Sequence, residues 1–499
     1  MPRHLTAVLV AMTLLLPAAG RAADTPNILF IAVDDLRPEL GAYGHPLVQS
    51  PHLDRLARDG LLFNRAYCQQ ALCAPSRTSL MTGRRPGIPG INATDSQNKN
   101  TLRQAIAQNL TLPEHLRAHG YTTLNVGKTF HTYDTTAKNA WDREMKPGGG
   151  HYQRPENLQA QQRLEQQIRD EGPSARWKYG GAPASESADA PDDQYQTHRI
   201  ADRAIQMLRE HRAKQPDRPF FLGVGFYKPH LPLIAPQRYW DLYDRDQIQV
   251  PSYDHPPGVS RFALVPTWYE MRLYGDIPRG QKPLSPEKAR ELIHGYYACV
   301  SFVDVQVGRL LDELDHQGLA QNTVVVVWGD HGWKLNDYGD WSKYTNMEFD
   351  TRIPLIVRGP GVEPGQTDAL VELIDLYPTL CELAGADVPG HVEATSFVPL
   401  LADHDRPWKQ AALSYYDRRN PDGEGLSIRD PRWRYTEWRD YQSGQVLDRE
   451  LYDHAAGPRA EKNLAADPAH ADTVERLAAM LHAGWRSLTP QDTAPATEP

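Results

Sequence analysis

The stretch Cys73-Ala74-Pro75-Ser76-Arg77-Thr78-Ser79-Leu80-Met81-Thr82-Gly83-Arg84 places a cysteine just ahead of a proline at what reads as a helix start. Proline's fixed φ suits the first turn, and its missing N–H costs nothing there. The unpaired N–H groups and positive dipole pole of such an end attract anions and point at whatever Cys73 faces. Arg77, one turn on, can set a planar guanidinium on the same side, where it could fork onto two oxygens of a tetrahedral oxyanion. A nucleophile beside an anion-binding helix end is one reading of this spacing. A buried structural thiol is the other.

Four further polar clusters follow apolar runs of strand type. Asn27 to Val33 is a continuous apolar, β-branched run, as expected of a strand covered on both faces, and it ends in Asp34-Asp35. Thr122 to Val126 leads into Gly127-Lys128-Thr129-Phe130-His131, and Phe220 to Phe226 into Tyr227-Lys228-Pro229-His230. Thr323 to Trp328 leads into Gly329-Asp330-His331-Gly332-Trp333, with Lys343 shortly after. Open α/β sheets bind their ligands at the carboxyl ends of strands, so the four tips could serve one pocket. Asp34, Asp35 and Asp330 are hard oxygen ligands that, beside a tetrahedral oxyanion, favour Ca²⁺ or Mg²⁺. Imidazole suits transition metals better, so His331 reads either as a ligand or as a group standing behind the ligands. Taken singly, each cluster also has a bland reading: Asp35 as a turn cap, Lys128 as an exposed loop cation.

A cysteine followed by x-Pro-x-Arg and then by Thr-Gly-Arg resembles the signature of the type I sulfatases of the alkaline phosphatase superfamily. The resemblance narrows to the iduronate-2-sulfatase-like branch through Asp34-Asp35, Cys73 to Arg77, Gly127-Lys128 with His131, Lys228-Pro229-His230, Asp330 to Trp333 and Trp341-Ser342-Lys343-Tyr344. It continues through Ile353-Pro354-Leu355-Ile356, Ser427-Ile428-Arg429 and Arg434-Tyr435-Thr436, and so covers most of the chain. It implies an α/β fold with a large mixed, mostly parallel sheet flanked by helices, alkaline-phosphatase-like, and a smaller C-terminal α+β subdomain. It further implies that Cys73 is oxidised by a formylglycine-generating enzyme to formylglycine, whose hydrated aldehyde is the nucleophile. Asp34, Asp35, Asp330 and His331, with an oxygen at position 73, would hold one Ca²⁺. Arg77 and Lys128 would stabilise the hydrate and the sulfuryl oxygens, and His131 would assist. His230 and Lys343 would bind sulfate and protonate the leaving alcohol, with Lys128 and Trp333 also contacting substrate.

The substrate implied is a sulfated carbohydrate, above all the 2-O-sulfate of a uronic acid in glycosaminoglycan-type oligosaccharides. Asn336-Asp337-Tyr338 stands where this branch usually reads Gly-Glu-His, a departure that bears on sugar specificity. The alternatives are a sulfatase for another sulfated glycan, a phosphate or phosphonate monoester hydrolase of the same superfamily, and a noncatalytic glycan binder. Phosphomonoester chemistry commonly uses two close metals, and the sequence offers one dense acidic constellation, which favours sulfate.

The bulk properties fit. The chain has 499 residues, 40% hydrophobic and 23% charged, with a formal net charge of −9 that argues against nucleic acid as a partner. Residues 1–23 read as a cleaved secretory signal, implying a periplasmic or secreted protein, and no later run is apolar enough for a membrane anchor. Four cysteines make no disulfide framework, and conversion of Cys73 would leave at most one pair. The expected organisation is a catalytic domain over 24–410, with a polar surface insertion at 141–193, a C-terminal subdomain over 411–488 and a disordered tail at 489–499. Asp241 to Pro283 should form loops around the mouth of the site, and Pro286 to His316 one long helix. The basic and aromatic run Arg429 to Arg439 reads as an exposed strand, with a glycan platform as the alternative.

Overall fold

The computed structural model describes residues 25–87, 104, 106–131, 139–251, 254–264, 270–279, 283–419 and 421–490. The expected signal at 1–23 and positions 491–499 of the expected tail lie outside the described residues.

Eight strands make the main sheet: β1 Asn27–Val33, β2 Leu61–Phe63, β3 Thr122–Gly127, β4 Arg143–Met145, β5 Phe220–Phe226, β6 Thr323–Gly329, β7 Leu355–Arg358 and β8 Gly365–Thr367. Their spatial order is β8-β2-β7-β6-β1-β5-β3-β4. Strands β6, β1, β5, β3 and β4 run parallel, and β7 lies antiparallel between β6 and β2. Val33 is level with both Gly329 and Phe226, and Gly127 with Gly225. Four neighbouring strands therefore stop along one line, and the polar residues that follow each of them emerge side by side.

The strands are apolar throughout because both faces are covered. Leu29, Ile31 and Val33 pack with Leu222, Val224, Val325 and Val327 beneath two long helices, Gln196–Lys214 and Pro286–His316. Ile28, Phe30 and Ala32 face the other way, onto Leu80, Met81, Leu112, Leu116, Leu376 and Tyr377. The long helix has the span its apolar periodicity predicts. It starts at Ser285, whose hydroxyl accepts from the Lys288 N–H, with Pro286 in the first turn.

The stretch 141–193 is more structured than its composition suggests. Arg143–Met145 is the edge strand of the main sheet, Ser185–Ala188 pairs with Leu233–Pro236, and Pro155–Glu171 is a 17-residue helix. Leu164 is the one buried residue of that helix, so there is no apolar stripe for a sequence reading to detect.

Strands β9 Ala412–Arg419, β10 Asp422–Arg429, β11 Trp433–Arg439 and β12 Val446–Asp453 form a second, antiparallel sheet in sequential order. The helix Ala471–Ala483 sets Leu477 and Leu481 against Ile428, Tyr435 and Leu451. This is the expected α+β subdomain, but Arg429 to Arg439 is neither an exposed strand nor a platform. The strand is buried, and Arg429 Nε and Arg434 Nη2 both donate to Glu348 Oε2, at 3.0 and 2.8 Å, across the seam with the main domain. The same seam grips the chain just ahead of Cys73: Ser414 Oγ donates to the Cys68 carbonyl, Tyr415 N–H to that of Gln69, and Gln70 Nε2 to Asp417 Oδ1. All four cysteines are buried free thiols. Among the described residues no helix is long and apolar enough to cross a membrane.

Where β5 passes the end of β3, a side chain at Gly225 would put its Cβ 2.1 Å from the Lys128 carbonyl carbon and 2.3 Å from its oxygen. Backbone cannot yield as a side chain can, so Gly225→Ala is expected to destabilise the protein by about 3 kcal/mol or more. The urea midpoint of the purified variant checks this.

Candidate active site

Strand β1 hands its last ladder bond to Asp34, whose N–H donates to the Phe226 carbonyl at 3.1 Å. The chain then turns sharply at Asp35, a non-glycine residue in the left-handed region at φ 60°. Its N–H donates to Asp330 Oδ1 at 3.0 Å, and its carbonyl accepts from the Tyr296 hydroxyl at 2.7 Å. These bonds offset the cost of the turn and aim both aspartates at the end of β6.

Helix α1, Cys73–Thr82, is buried along its whole length and starts at the cysteine. Ser76 Oγ donates to the Asp330 carbonyl, and Arg77 reaches between the strands. Its Nε donates to Asp330 Oδ2 at 2.9 Å, its Nη2 to Asp34 Oδ1 at 3.0 Å, and its Nη1 to the carbonyls of Lys128 and Thr129. Lys128 Nζ lies 2.5 Å from Asp34 Oδ2. Burial alone would raise the Asp34 carboxyl, yet Lys128 and Arg77 hold it well below the usual carboxylate range.

Asp35 is balanced differently. Burial pushes it up to about 7, against the pull of Lys343, whose Nζ donates to Asp35 Oδ1 at 2.9 Å. Lys343 also sits 4.8 Å from the ring centre of Trp333, in cation–π range. Cys73 Sγ is 3.8 Å from Asp35 Oδ1 and 3.2 Å from His331 Nε2. His331 donates from Nδ1 to the Gly332 carbonyl at 2.8 Å, which turns Nε2 to the cluster, 3.4 Å from Asp35 Oδ1 and 3.6 Å from Asp330 Oδ2. His230 is fixed likewise by its Nδ1 bond to the Leu231 carbonyl, and its Nε2 stands 3.9 Å from Asp35 Oδ2. Burial lowers His230 to about 4 and His131 to about 3, and the buried Nδ1 of His131 has no hydrogen-bond partner among the described residues.

Asp34, Asp35, Cys73, Arg77, Lys128, His230, Asp330, His331, Trp333 and Lys343 thus converge on one pocket, with His131 in the field of Lys128, Asp34 and Arg77. Ligand atoms of Asp34, Asp35, Cys73 and His230 lie within 4.8 Å of one another, as do those of Cys73, Asp330 and His331. Asp35 Oδ2 is buried and has no hydrogen-bond partner among the described residues. Buried carboxylate oxygens are rarely left so, and this one faces the others as a hard divalent cation would require. The donor set fits such an ion.

Two of the motif segments have other work. Lys228 turns away, its Nζ donating to the His230 and Pro232 carbonyls, and so shapes the turn carrying His230. Asn336, Asp337 and Tyr338, expected to bear on sugar choice, are all buried. Asp337 pairs with Arg37 at 2.6 Å, Asn336 accepts from Trp341 Nε1, and the Tyr338 hydroxyl accepts from the Ala460 N–H. The triplet packs beneath the pocket instead of lining its mouth. One residue that sequence reasoning missed is Glu270, which accepts from Lys343 Nζ at 2.8 Å and lies 3.8 Å from His230 Nε2. It stands in the Pro- and Tyr-rich stretch expected to ring the mouth, with no local feature to single it out. The His230 and Glu270 side chains keep 25% and 21% exposure, while Asp34, Asp35, Arg77, Asp330, His331 and Lys343 keep none, which marks the side from which a substrate enters.

The Sulfatase family model matches residues 26–386, and a model described as N-sulphoglucosamine sulphohydrolase, C-terminal, matches residues 329–486. The iduronate 2-sulfatase of Homo sapiens is 32% identical over 538 residues, covering 92% of this chain and 94% of that protein. A sulfatase of Formosa agariphila is 32% identical over 477 residues, covering 92% and 87%. Among solved structures, the phosphonate monoester hydrolase of Agrobacterium radiobacter superposes with a TM-score of 0.71 at 24% identity, over 92% of this chain and 95% of that one. The alkaline-phosphatase-like fold is the one found. The chain belongs to the sulfatase family and is a sulfuric ester hydrolase.

Proposed function

We propose that this enzyme removes the 2-O-sulfate of a uronic acid in glycosaminoglycan-type oligosaccharides, with Cys73 carried as formylglycine and one Ca²⁺ held by Asp34, Asp35, Asp330, His331 and position 73. The observation that carries the reading is the set of carboxylates and one imidazole nitrogen closing on position 73, with Asp35 Oδ2 buried among them and without a hydrogen-bond partner among the described residues. Relatives named iduronate 2-sulfatase, from Homo sapiens and Mus musculus, match over more than nine-tenths of this chain and support the choice of sugar.

Burial, then Asp34, push the Cys73 thiol well above its ordinary range, and a protonated thiol is a poor nucleophile. An aldehyde hydrate at this position would supply a nucleophilic oxygen to sulfur and a second hydroxyl through which the product sulfate is expelled. A bound Ca²⁺ would supply positive charge to the reacting oxygens. The protein's own groups do the rest. Arg77 holds Asp34 and Asp330 in place, and Lys128 sets its ammonium beside Asp34. Lys128, Lys343 and His230 bind the sulfate oxygens from different sides, and such fixed donors are each worth about 3 kcal/mol where charge develops. His230, with Nδ1 tied to a carbonyl, turns Nε2 toward the leaving alcohol; the site without substrate holds it neutral, and the negative charge of a bound sulfate ester would load Nε2 with the proton it gives, while Lys343 stabilises the same oxygen. His131, buried near Lys128, accepts the proton of the second hydroxyl.

The phosphomonoesterase alternative needs a second metal. Among the described residues, the acidic groups near Cys73 form one cluster whose charge is already offset by Lys128 on Asp34 and Lys343 on Asp35. Residues 1–23 carry the signal pattern, and the enzyme is read as periplasmic or secreted and matured by a formylglycine-generating enzyme.

Purified enzyme is expected to release sulfate from a 2-O-sulfated uronate disaccharide and to lose that activity in chelator. Faster turnover of a phosphate monoester would overturn the assignment. Cys73→Ser is expected to abolish turnover while leaving the far-UV circular dichroism unchanged. A tryptic peptide from the native host should carry an aldehyde at position 73 by mass spectrometry. Asp34→Asn and Asp330→Asn are each expected to purify without calcium, and elemental analysis showing the wild-type content would refute the ligand set.

A further inference from the structure

Glu270 is built into the site from outside the motifs. It precedes a single 3-10 turn, Met271–Leu273, clamped from the side by the 181–184 stretch. Gly181 N–H donates to the Leu273 carbonyl at 2.9 Å, Gly275 N–H to that of Ala182 at 3.3 Å, and Ala184 N–H to Asp276 Oδ1 at 2.8 Å. From this anchored turn the carboxylate reaches the pocket. Oε2 accepts from Lys343 Nζ at 2.8 Å, the Tyr344 hydroxyl bonds to the same group, and Oε1 faces His230 Nε2 at 3.8 Å. Although burial works against it, Lys343 and His230 hold Glu270 down at about 2, so it stays an anion at neutral pH.

An ammonium on a four-carbon stem has three equivalent donors and little directional preference of its own. Asp35 takes one donor of Lys343 and Glu270 a second. With two N–H bonds fixed from opposite partners and the Trp333 ring beside the nitrogen, tetrahedral geometry sets the third. We propose that Glu270 is a positioning residue that aims the Lys343 ammonium at the leaving oxygen of the sulfate ester, and that the 181–184 clamp serves the reaction by holding Glu270. This rests on the reading of Lys343 as the group that stabilises the leaving alcohol.

Leaving-group dependence separates positioning from mere structural support. A sugar alcohol leaves poorly and needs that stabilisation, whereas 4-nitrophenolate leaves without it. In Glu270→Ala, kcat on the sulfated disaccharide is expected to fall by about 10–100-fold, with a loss of at most about 3-fold on 4-nitrophenyl sulfate and little change in KM. Glu270→Gln, which keeps an acceptor for Nζ without the charge, should lose less. Lys343→Ala, which also gives up a sulfate contact, should lose activity on both substrates but by about 10–100-fold more on the disaccharide, and adding Glu270→Ala to it should cost nothing further. Equal losses on both substrates, or additive losses in the double variant, overturn the positioning of Glu270. A split for Glu270→Ala without one for Lys343→Ala overturns the role given to Lys343 and this inference with it. A split for Lys343→Ala alone overturns the inference and leaves that role standing.

Discussion

Three carboxylates, Asp34, Asp35 and Asp330, stand out of solvent at the ends of two adjacent parallel strands, and their mutual repulsion is the constraint around which the molecule is arranged. At an effective dielectric of 20, like charges 4 Å apart repel by about 4 kcal/mol, so three such groups cannot be buried together without cations. Arg77 bridges Asp34 and Asp330, Lys128 lies on Asp34, and Lys343 on Asp35. Each cation arrives from a different element. Helix α1 must be sunk along its whole length to deliver Arg77, and sinking it also places Cys73 against the acids. Among the described residues, Asp35 Oδ2 is left without a hydrogen-bond partner, so the compensation there is incomplete.

The sheet supplies the precision that this balance requires. Parallel neighbours held level by their ladders end together, so groups nearly 300 residues apart in sequence, such as Asp35 and Asp330, come within a hydrogen bond. Close approach is secured by omission of side chains: at Gly225 the backbone of β5 touches that of Lys128, which sets the height of the lysine over Asp34. The C-terminal sheet acts on the same site from below. Its bonds to Cys68, Gln69 and Gln70 fix the approach to position 73, so the two sheets form one functional unit across a seam closed by Glu348, Arg429 and Arg434.

The mouth follows other rules. Its partly exposed groups, His230 and Glu270, come from loops, where positions are free to vary without disturbing the core. Glu270 stands there as an ion pair with Lys343. The departure at Asn336-Asp337-Tyr338 does not reach this surface, because all three side chains are committed beneath the pocket to Arg37, Trp341 and Ala460.

Much of this was legible in the amino-acid order. Apolar runs such as Asn27 to Val33 name buried strands because both faces must be covered, and acids or lysines at their ends name a pocket because that is where a parallel sheet opens. The Cys73 to Arg84 spacing resembles the sulfatase signature, and that family is the one found. What sequence order could not decide depends on contacts between distant segments. Arg429 and Arg434 look solvated until Glu348 is found opposite them, and the helix Pro155–Glu171 lacks the apolar stripe that would announce it. Glu270 is one acid among many until the fold sets it on Lys343. Local patterns record burial and turn chemistry, which each residue meets alone, whereas a charge acquires its role from a partner that only the tertiary structure brings within about 3 Å.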